Sequence, residues 1–195
     1  MRIPRFHVAE GVRPGARIDL PDEAAHHALR VLRLGDGDPL TLFDGRGGEY
    51  EARIVTVTRG GVAVEIGEHR ARECESPLSI TLVQGLSSSD RMDFIIQKAV
   101  ELGVAAIQPV LTAKSVVRLS KDRSAAKLAH WQRVAIAACE QCGRNRIPEI
   151  RAALPISQYA PNDASVKIVL SPLATKDLKQ LVQSPLTLAV GPEAG

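Results

Sequence analysis

The chain has 195 residues and 21.0 kDa, with 45% apolar and 24% charged side chains, which suits one large or two small globular domains and excludes collagen-like, low-complexity and disordered classes. A formal net charge of +3 conceals an uneven spread, because residues 1–76 hold 11 basic and 13 acidic side chains whereas 114–151 hold 9 basic and 3 acidic. That local excess suggests a polyanionic partner, nucleic acid in particular, while aromatic residues at 3% of the chain exclude a single-strand binder built on stacked rings.

Met1-Arg2-Ile3-Pro4-Arg5 has no apolar stretch behind it, and no run of ~18 apolar residues follows anywhere, so neither export nor membrane insertion is indicated. Residues 1–68 read mainly as β structure with one helix. Asp22 to Leu32 places Ala25, Leu29 and Leu32 at helical spacing, with Arg30 and Arg33 nearby. The adjacent His26 and His27 point apart on a helix and cannot ligate one metal together; packing or a hydrogen bond accounts for them. Leu40–Phe43 and Glu49–Val55 read as a hairpin across Asp44-Gly45-Arg46-Gly47-Gly48. Those glycines lack the third glycine of a dinucleotide loop and lead into a strand, so that reading is rejected.

Residues 69–77 are charged, poor in apolar side chains and end in proline, marking a linker between a first domain (1–68) and a second (78–195). The second alternates strands and helices: strand Leu78–Val83, helix Arg91–Leu102, strand Ala105–Val110, helix Ala125–Cys142, strand Val166–Leu170, helix Thr175–Val182, strand Leu186–Val190. This is the pattern of an α/β domain with a mostly parallel sheet. Asp90 is placed to cap the first of these helices, Asp93 suits its positive end, and Gly103 suits its left-handed stop. The second carries an apolar stripe of Leu128, Trp131, Ala135, Ala138 and Cys142, with Lys127, His130 and Arg133 on another face, and runs into Gly143-Arg144-Asn145-Arg146. There Gly143 stops the helix, and the arginines either complement its dipole or meet RNA. The three cysteines, Cys74, Cys139 and Cys142, cannot pair completely, and Cys139-x-x-Cys142 lacks further ligands for a tetrahedral metal. Structural cysteines, no metal and a reducing cytoplasm are expected.

Ligands of open α/β sheets bind at the carboxyl ends of strands, which directs attention to Ser171-Pro172 and to Gly191-Pro192-Glu193-Ala194-Gly195. Four blocks then carry a resemblance: His27 to Leu34 with Leu42-Phe43-Asp44-Gly45; Asp90-Arg91-Met92-Asp93 through Gln97-Lys98 to Glu101-Leu102-Gly103; Trp131-Gln132 through Glu140-Gln141-Cys142-Gly143-Arg144; and Gly191-Pro192-Glu193. In order and spacing the chain resembles the RsmE-type 16S ribosomal RNA (uridine N3) methyltransferases of the SPOUT class. The resemblance implies an N-terminal PUA-like β-barrel that holds RNA and a C-terminal α/β methyltransferase domain with a trefoil knot, here incomplete at Gly195. It implies S-adenosylmethionine as cofactor, with Leu170, Ser171, Pro172, Gly191, Pro192, Glu193 and Gly195 in its site. It further implies 16S RNA or the small subunit as partner and a homodimer. Arg30, Arg33, Arg91, Lys98, Lys114, Lys127, Arg133 and Arg146 become candidate RNA contacts.

Three positions depart from the family pattern: Ala194 replaces a usual glycine, Ser88 a frequent basic residue, and Lys114 a common arginine. Methylation at uracil N3 requires loss of its proton and stabilisation of charge on O2 and O4. Arg144 is the candidate for that stabilisation or for phosphate anchoring, and Glu193 a weaker candidate for the proton. The alternative is a non-catalytic RNA-binding module that has lost the cofactor site.

Overall fold

The computed structural model describes residues 3–58, 61–113, 121–161 (backbone only at 121–123), 164–171, 173–175, 177, 181 and 184–192. By compactness the chain divides into two units, residues 1–74 with 139–147 and residues 75–138 with 148–195.

In the first unit, β1 (Arg5–His7), β2 (Arg17–Asp19), β3 (Pro39–Phe43), β4 (Glu49–Thr58) and β5 (Gly61–Arg70) form one sheet in the order β1-β3-β4-β5-β2. β1 runs parallel to β3, and the other pairs are antiparallel. The hairpin read from the sequence is β3–β4, with Leu40 opposite Ala52 and Leu42 opposite Tyr50. β4 continues past Val55 to Thr58, and β5 reaches Arg70, taking the first residues of the expected linker into the sheet. Alternation sends Val62, Val64 and Ile66 of β5 inward against Phe6, Leu40, Leu42 and Ile54, all at most 2% exposed. Two register shifts in the β4–β5 ladder bend this long ribbon.

The helix expected over 22–32 is instead α1 (Asp22–His26) followed by a wider π turn, His27–Val31. The extra residue in that turn moves the inward positions: Ala28 and Leu34 are buried, whereas Leu32 is turned out at 36% exposure. His27 sets its ring edge against Phe6 at 5.8 Å, a packing role.

A charge pair ties the first strand to this sheet. The Arg5 guanidinium bonds Glu49, with the two side chains only 7% and 8% exposed, and lies 5.2 Å over the Phe43 ring. Burial works against the Glu49 charge, but the Arg5 hydrogen bond and charge, joined by Arg72 at 3.4 Å, outweigh it and hold the carboxyl below its usual range.

In the second unit, β6 (Ile80–Gly85), β7 (Ala106–Leu111), β8 (Glu149–Ile150), β9 (Leu154–Pro155), β10 (Val166–Val169) and β11 (Leu186–Val190) pair in parallel. The order is β10-β11-β6-β7-β8, with β9 also on β7. Ala106–Val110 are buried at consecutive positions, as a strand covered on both faces requires. α2 (Ser89–Glu101) buries Met92, Ile96 and Val100, one every four residues. Asp90 does not cap it: Ser88, with extended backbone, holds the cap position, and Asp90 lies inside the first turn, where its charge still suits the dipole. Gly103 ends the helix at φ +93°.

α3 (Lys121–Cys142) begins earlier than the apolar spacing suggested and buries Trp131, Ala135 and Ala138. The helix expected over 175–182 falls mostly outside the described residues. Among the described residues no helix is long and apolar enough to cross a membrane.

Because the folded Glu49 carboxyl is lowered below its unfolded value of about 4.3, its contribution is present above that pH and is lost as pH falls through the folded value. Glu49→Gln is expected to cost about 3–5 kcal/mol at pH 7 and to flatten the acid limb of stability, read by thermal melts across pH.

Candidate functional site

The connection from β6 leads to one side of the sheet, toward β7, whereas β11 sits on its other side beside β10. The carboxyl ends of neighbouring strands are the usual ligand site of open parallel sheets. Here those ends are Gly85-Leu86 and Gly191-Pro192. They approach so closely that a Cβ on Gly85 would lie 2.6 Å from Pro192 Cδ and N. Glycine at 85 is therefore a packing requirement at these strand ends, and the sequence reading missed it. An isolated glycine closing a run of apolar strand residues was the available signal.

On the adjacent strand, Leu170 is 42% exposed and gives its N–H to Ala189 O (2.9 Å), while Ser171 Oγ accepts the Leu173 N–H at 3.2 Å. Gly191 is exposed, with open space where its Cβ would stand. Leu170, Ser171, Gly191 and Pro192 thus lie at the carboxyl ends of two adjacent parallel strands, as expected of a shared ligand edge. Pro172, Glu193 and Gly195 lie outside the described residues, as do Ala194 and Lys114. Among the described residues no cluster of His, Cys, Asp and Glu could hold a metal ion.

The second group of predicted residues lies after α3, in the segment 139–147 that belongs to the first unit. Gly143 stops the helix at φ +91°, donating its N–H to Cys139 O at 3.0 Å. The next two residues are buried, Arg144 at 4% exposure and Asn145 at 0%. Asn145 is held at both ends of its amide: Oδ1 accepts from Arg5 Nη2 at 2.5 Å, and Nδ2 donates to Arg72 O at 2.6 Å. Arg5 Nη2 also reaches Arg144 O at 3.4 Å, so the guanidinium that neutralises Glu49 fixes the backbone beside Arg144.

Glu140, one turn earlier, accepts the His7 N–H at 2.9 Å. Burial pushes its carboxyl above the usual range, and that N–H with the His27 and Arg5 charges only partly offsets it. The His7 ring is pushed down by burial, against the opposing influence of Asp44. Sequence reasoning missed Arg5, Glu49 and Asn145, whose partners are more than twenty residues away along the chain.

Arg144 keeps 4% of its surface exposed. A role in stabilising charge inside the protein, where water does not compete, is compatible with it. The remaining basic candidates differ in what they already bind. Lys98 donates to Glu101 at 2.7 Å, and exposed Arg146 lies 3.4 Å from Glu73. Arg91, Arg133, Arg30 and Arg33 are exposed, and Lys127 is half-buried. His130, on the basic face of α3, bonds Asp93 at 2.8 Å.

Comparison with known proteins bears on both units. Residues 74–195 match the model of an RNA methyltransferase domain, and 20–67 that of an RNA methyltransferase PUA domain. The chain belongs to this RNA methyltransferase family. It is similar to the ribosomal RNA small subunit methyltransferase E of Buchnera aphidicola from Schizaphis graminum, at 31% identity over all of this chain and 80% of the relative. That of Synechocystis is also 31% identical, over 92% of this chain and 60% of the relative.

Among solved structures, the ribosomal RNA small subunit methyltransferase E of Neisseria gonorrhoeae, bound to S-adenosylmethionine, superposes with a TM-score of 0.92 at 39% identity, over all of this chain and 81% of that one. A putative methyltransferase of Legionella pneumophila, also with that cofactor, gives 0.90 at 37% identity over all of this chain and 82% of that one. The mixed α/β fold of these methyltransferases, with an N-terminal sheet and a C-terminal parallel sheet, agrees with the fold expected from the sequence.

Gly85→Ala tests these strand ends. The added methyl group meets backbone and proline ring, not a side chain that can swing aside, so the two strand ends must part. Titration calorimetry is expected to show S-adenosylmethionine binding weakened at least about tenfold, with the circular-dichroism spectrum retained.

Proposed function

We propose that this protein transfers the methyl group of S-adenosylmethionine to N3 of a uridine in 16S ribosomal RNA, acting in the cytoplasm as a homodimer. The observation that carries this reading is the close approach of the carboxyl ends of β6 and β11 at Gly85 and Pro192, in a chain of the RNA methyltransferase family. Nothing in the structure favours a module without catalysis.

The strand ends suit a cofactor held mainly by backbone groups: Gly191 leaves its peptide open, and Leu170 and Ser171 are exposed beside it. Pro172, Glu193 and Gly195 complete that edge by resemblance. When bound, the cofactor supplies an electrophilic methyl group on a sulfonium sulfur. The chain's own task is to prepare the base. Uracil N3 bears a proton and becomes nucleophilic only when it is withdrawn, leaving negative charge on O2 and O4. Arg144, held out of water next to a doubly anchored Asn145, is the guanidinium assigned to that charge. Glu193 is the carboxylate assigned to the proton. The target base must leave its stack, at a cost of a few kcal/mol, which contacts to the RNA backbone offset. Arg91, Arg133, Lys127, Lys114, Lys98 and Arg146 are proposed for those contacts.

Digestion and mass spectrometry of 16S RNA treated with enzyme and cofactor is expected to yield 3-methyluridine; a different modified base would overturn the chemistry. In the same assay Arg144→Ala is expected to lower kcat at least ~10²-fold with cofactor affinity unchanged, because the lost contact acts only as charge develops. Unaltered turnover would return Arg144 to a structural role.

The dimer reading rests on exposed apolar surface in the second unit: Phe94 at 60% and Leu102 at 81% on and beside α2, Val169 at 74% and Leu173 at 90% at and beyond the end of β10. Light scattering at tens of micromolar, an order-of-magnitude choice above obligate-dimer dissociation, is expected to give twice the chain mass.

A further inference from the structure

The turn that follows α1 in the first unit is built in an unusual way. The Leu32 N–H reaches back five residues to His27 O (3.0 Å), and the Leu34 N–H reaches six to Ala28 O (2.9 Å). The widened turn ends on Arg33, whose φ of +56° makes it the one non-glycine residue with positive φ among the described residues. A side chain in that region costs about 1–2 kcal/mol, and glycine would remove the cost. The chain nevertheless carries arginine there. A strained position that keeps a long charged side chain points to a use for the side chain itself.

What the turn displays supports this. Ala28 and Leu34 anchor it in the core at 0% and 9% exposure, while Arg30, Val31 (63%), Leu32 (36%) and Arg33 all face outward. Neither arginine has a hydrogen bond or ion pair among the described residues. The carboxylates that follow in sequence are already committed to the backbone: Asp38 accepts the Gly35 N–H and Asp36 the Val57 N–H, each at 2.8 Å. Two free guanidinium groups thus bracket two exposed aliphatic side chains. Two aliphatics are far too small to form the core of a stable protein interface, which buries roughly 800 Å² per partner. They match the face of one unstacked base, and apolar wedges between bases are a recurrent device of nucleic-acid binders.

We propose that Arg30–Arg33 is a single RNA-reading turn of the first unit. Arg30 and Arg33 take phosphates on either side of an unstacked nucleotide, and Val31 and Leu32 pack against its base. The proposal rests on ribosomal RNA being the substrate, and it adds that the RNA is gripped at an interrupted helix, where a base is available, and not along a continuous duplex.

The test uses the protein, a 16S RNA transcript and intact small subunits that lack the modification. Arg33→Gly relieves the backbone and removes the guanidinium, so its melting temperature should stay level or rise. Its affinity for the transcript should fall about tenfold, with the slope of log K against log salt shallower by about 0.7–0.9, one lost phosphate contact. The pair Val31→Ser with Leu32→Ser should weaken transcript binding at least about threefold with the slope unchanged, because no phosphate contact is lost. Affinities equal to the parent's in both variants, while the parent methylates 16S RNA, would overturn this inference alone. Normal binding to the transcript with loss only on intact subunits would assign the turn to a ribosomal protein and also overturn it. A parent protein that neither binds nor methylates 16S RNA would remove the substrate reading and this inference with it.

Discussion

The buried pair of Arg5 and Glu49 is the interaction on which the rest of the first unit turns. Two charges with less than a tenth of their side-chain surface exposed survive because each neutralises the other and most of their remaining polar atoms find further partners, Arg5 Nε being buried without one among the described residues. Arg5 uses its second amino group for the Asn145 amide, Asn145 uses its own for the Arg72 carbonyl, and Arg72 returns to Glu49. Four segments remote in sequence are thereby joined: the first strand, the start of β4, the residues after β5 and the turn after α3. The effect is less a gain in stability than a choice of arrangement. Removing any member strands another polar group away from water, so alternative placements of the 143–147 turn are penalised.

The second unit solves a different problem, with little use of charge. Its parallel strands are mainly apolar, though Gln84, Gln108 and Thr187 are buried in them, and its proposed ligand edge is at their carboxyl ends. There the requirement is steric: two strand ends approach within a distance that only glycine at 85 allows. An edge framed by backbone suits a cofactor recognised along its edges. The proposed catalytic demand falls on groups that manage charge on the base, and a buried arginine makes hydrogen bonds with which water does not compete.

Among the basic residues, position in the fold separates those already committed from those still open. Lys98 and Arg146 have carboxylate partners within the chain, whereas the arginines of the turn after α1 do not, although sequence alone placed all of them together as candidate RNA contacts. The same turn shows why helical spacing misjudged Leu32: one extra residue in a π turn rotates every later side chain to a new face, and spacing rules assume a constant 3.6 residues per turn.

Local pattern was enough to reveal the hairpin of β3 and β4, the alternation of β6, α2, β7, α3, β10 and β11, the apolar face of α3, and the stops at Gly103 and Gly143, because periodicity and backbone sterics act between residues near in sequence. The strand ends at Ser171 and Gly191 were legible for a related reason, since parallel sheets place ligands at their carboxyl edge whatever the side chains. Only the tertiary structure decided that residues 139–147 belong with the first unit, that Glu49 is charged and buried, that Arg144 is enclosed, and that Gly85 must lack a side chain. Each of these depends on atoms brought together from distant parts of the chain. No local rule encodes which distant carboxylate an arginine will meet, because that choice is made by the packing of the whole unit and the cost of leaving a buried charge alone.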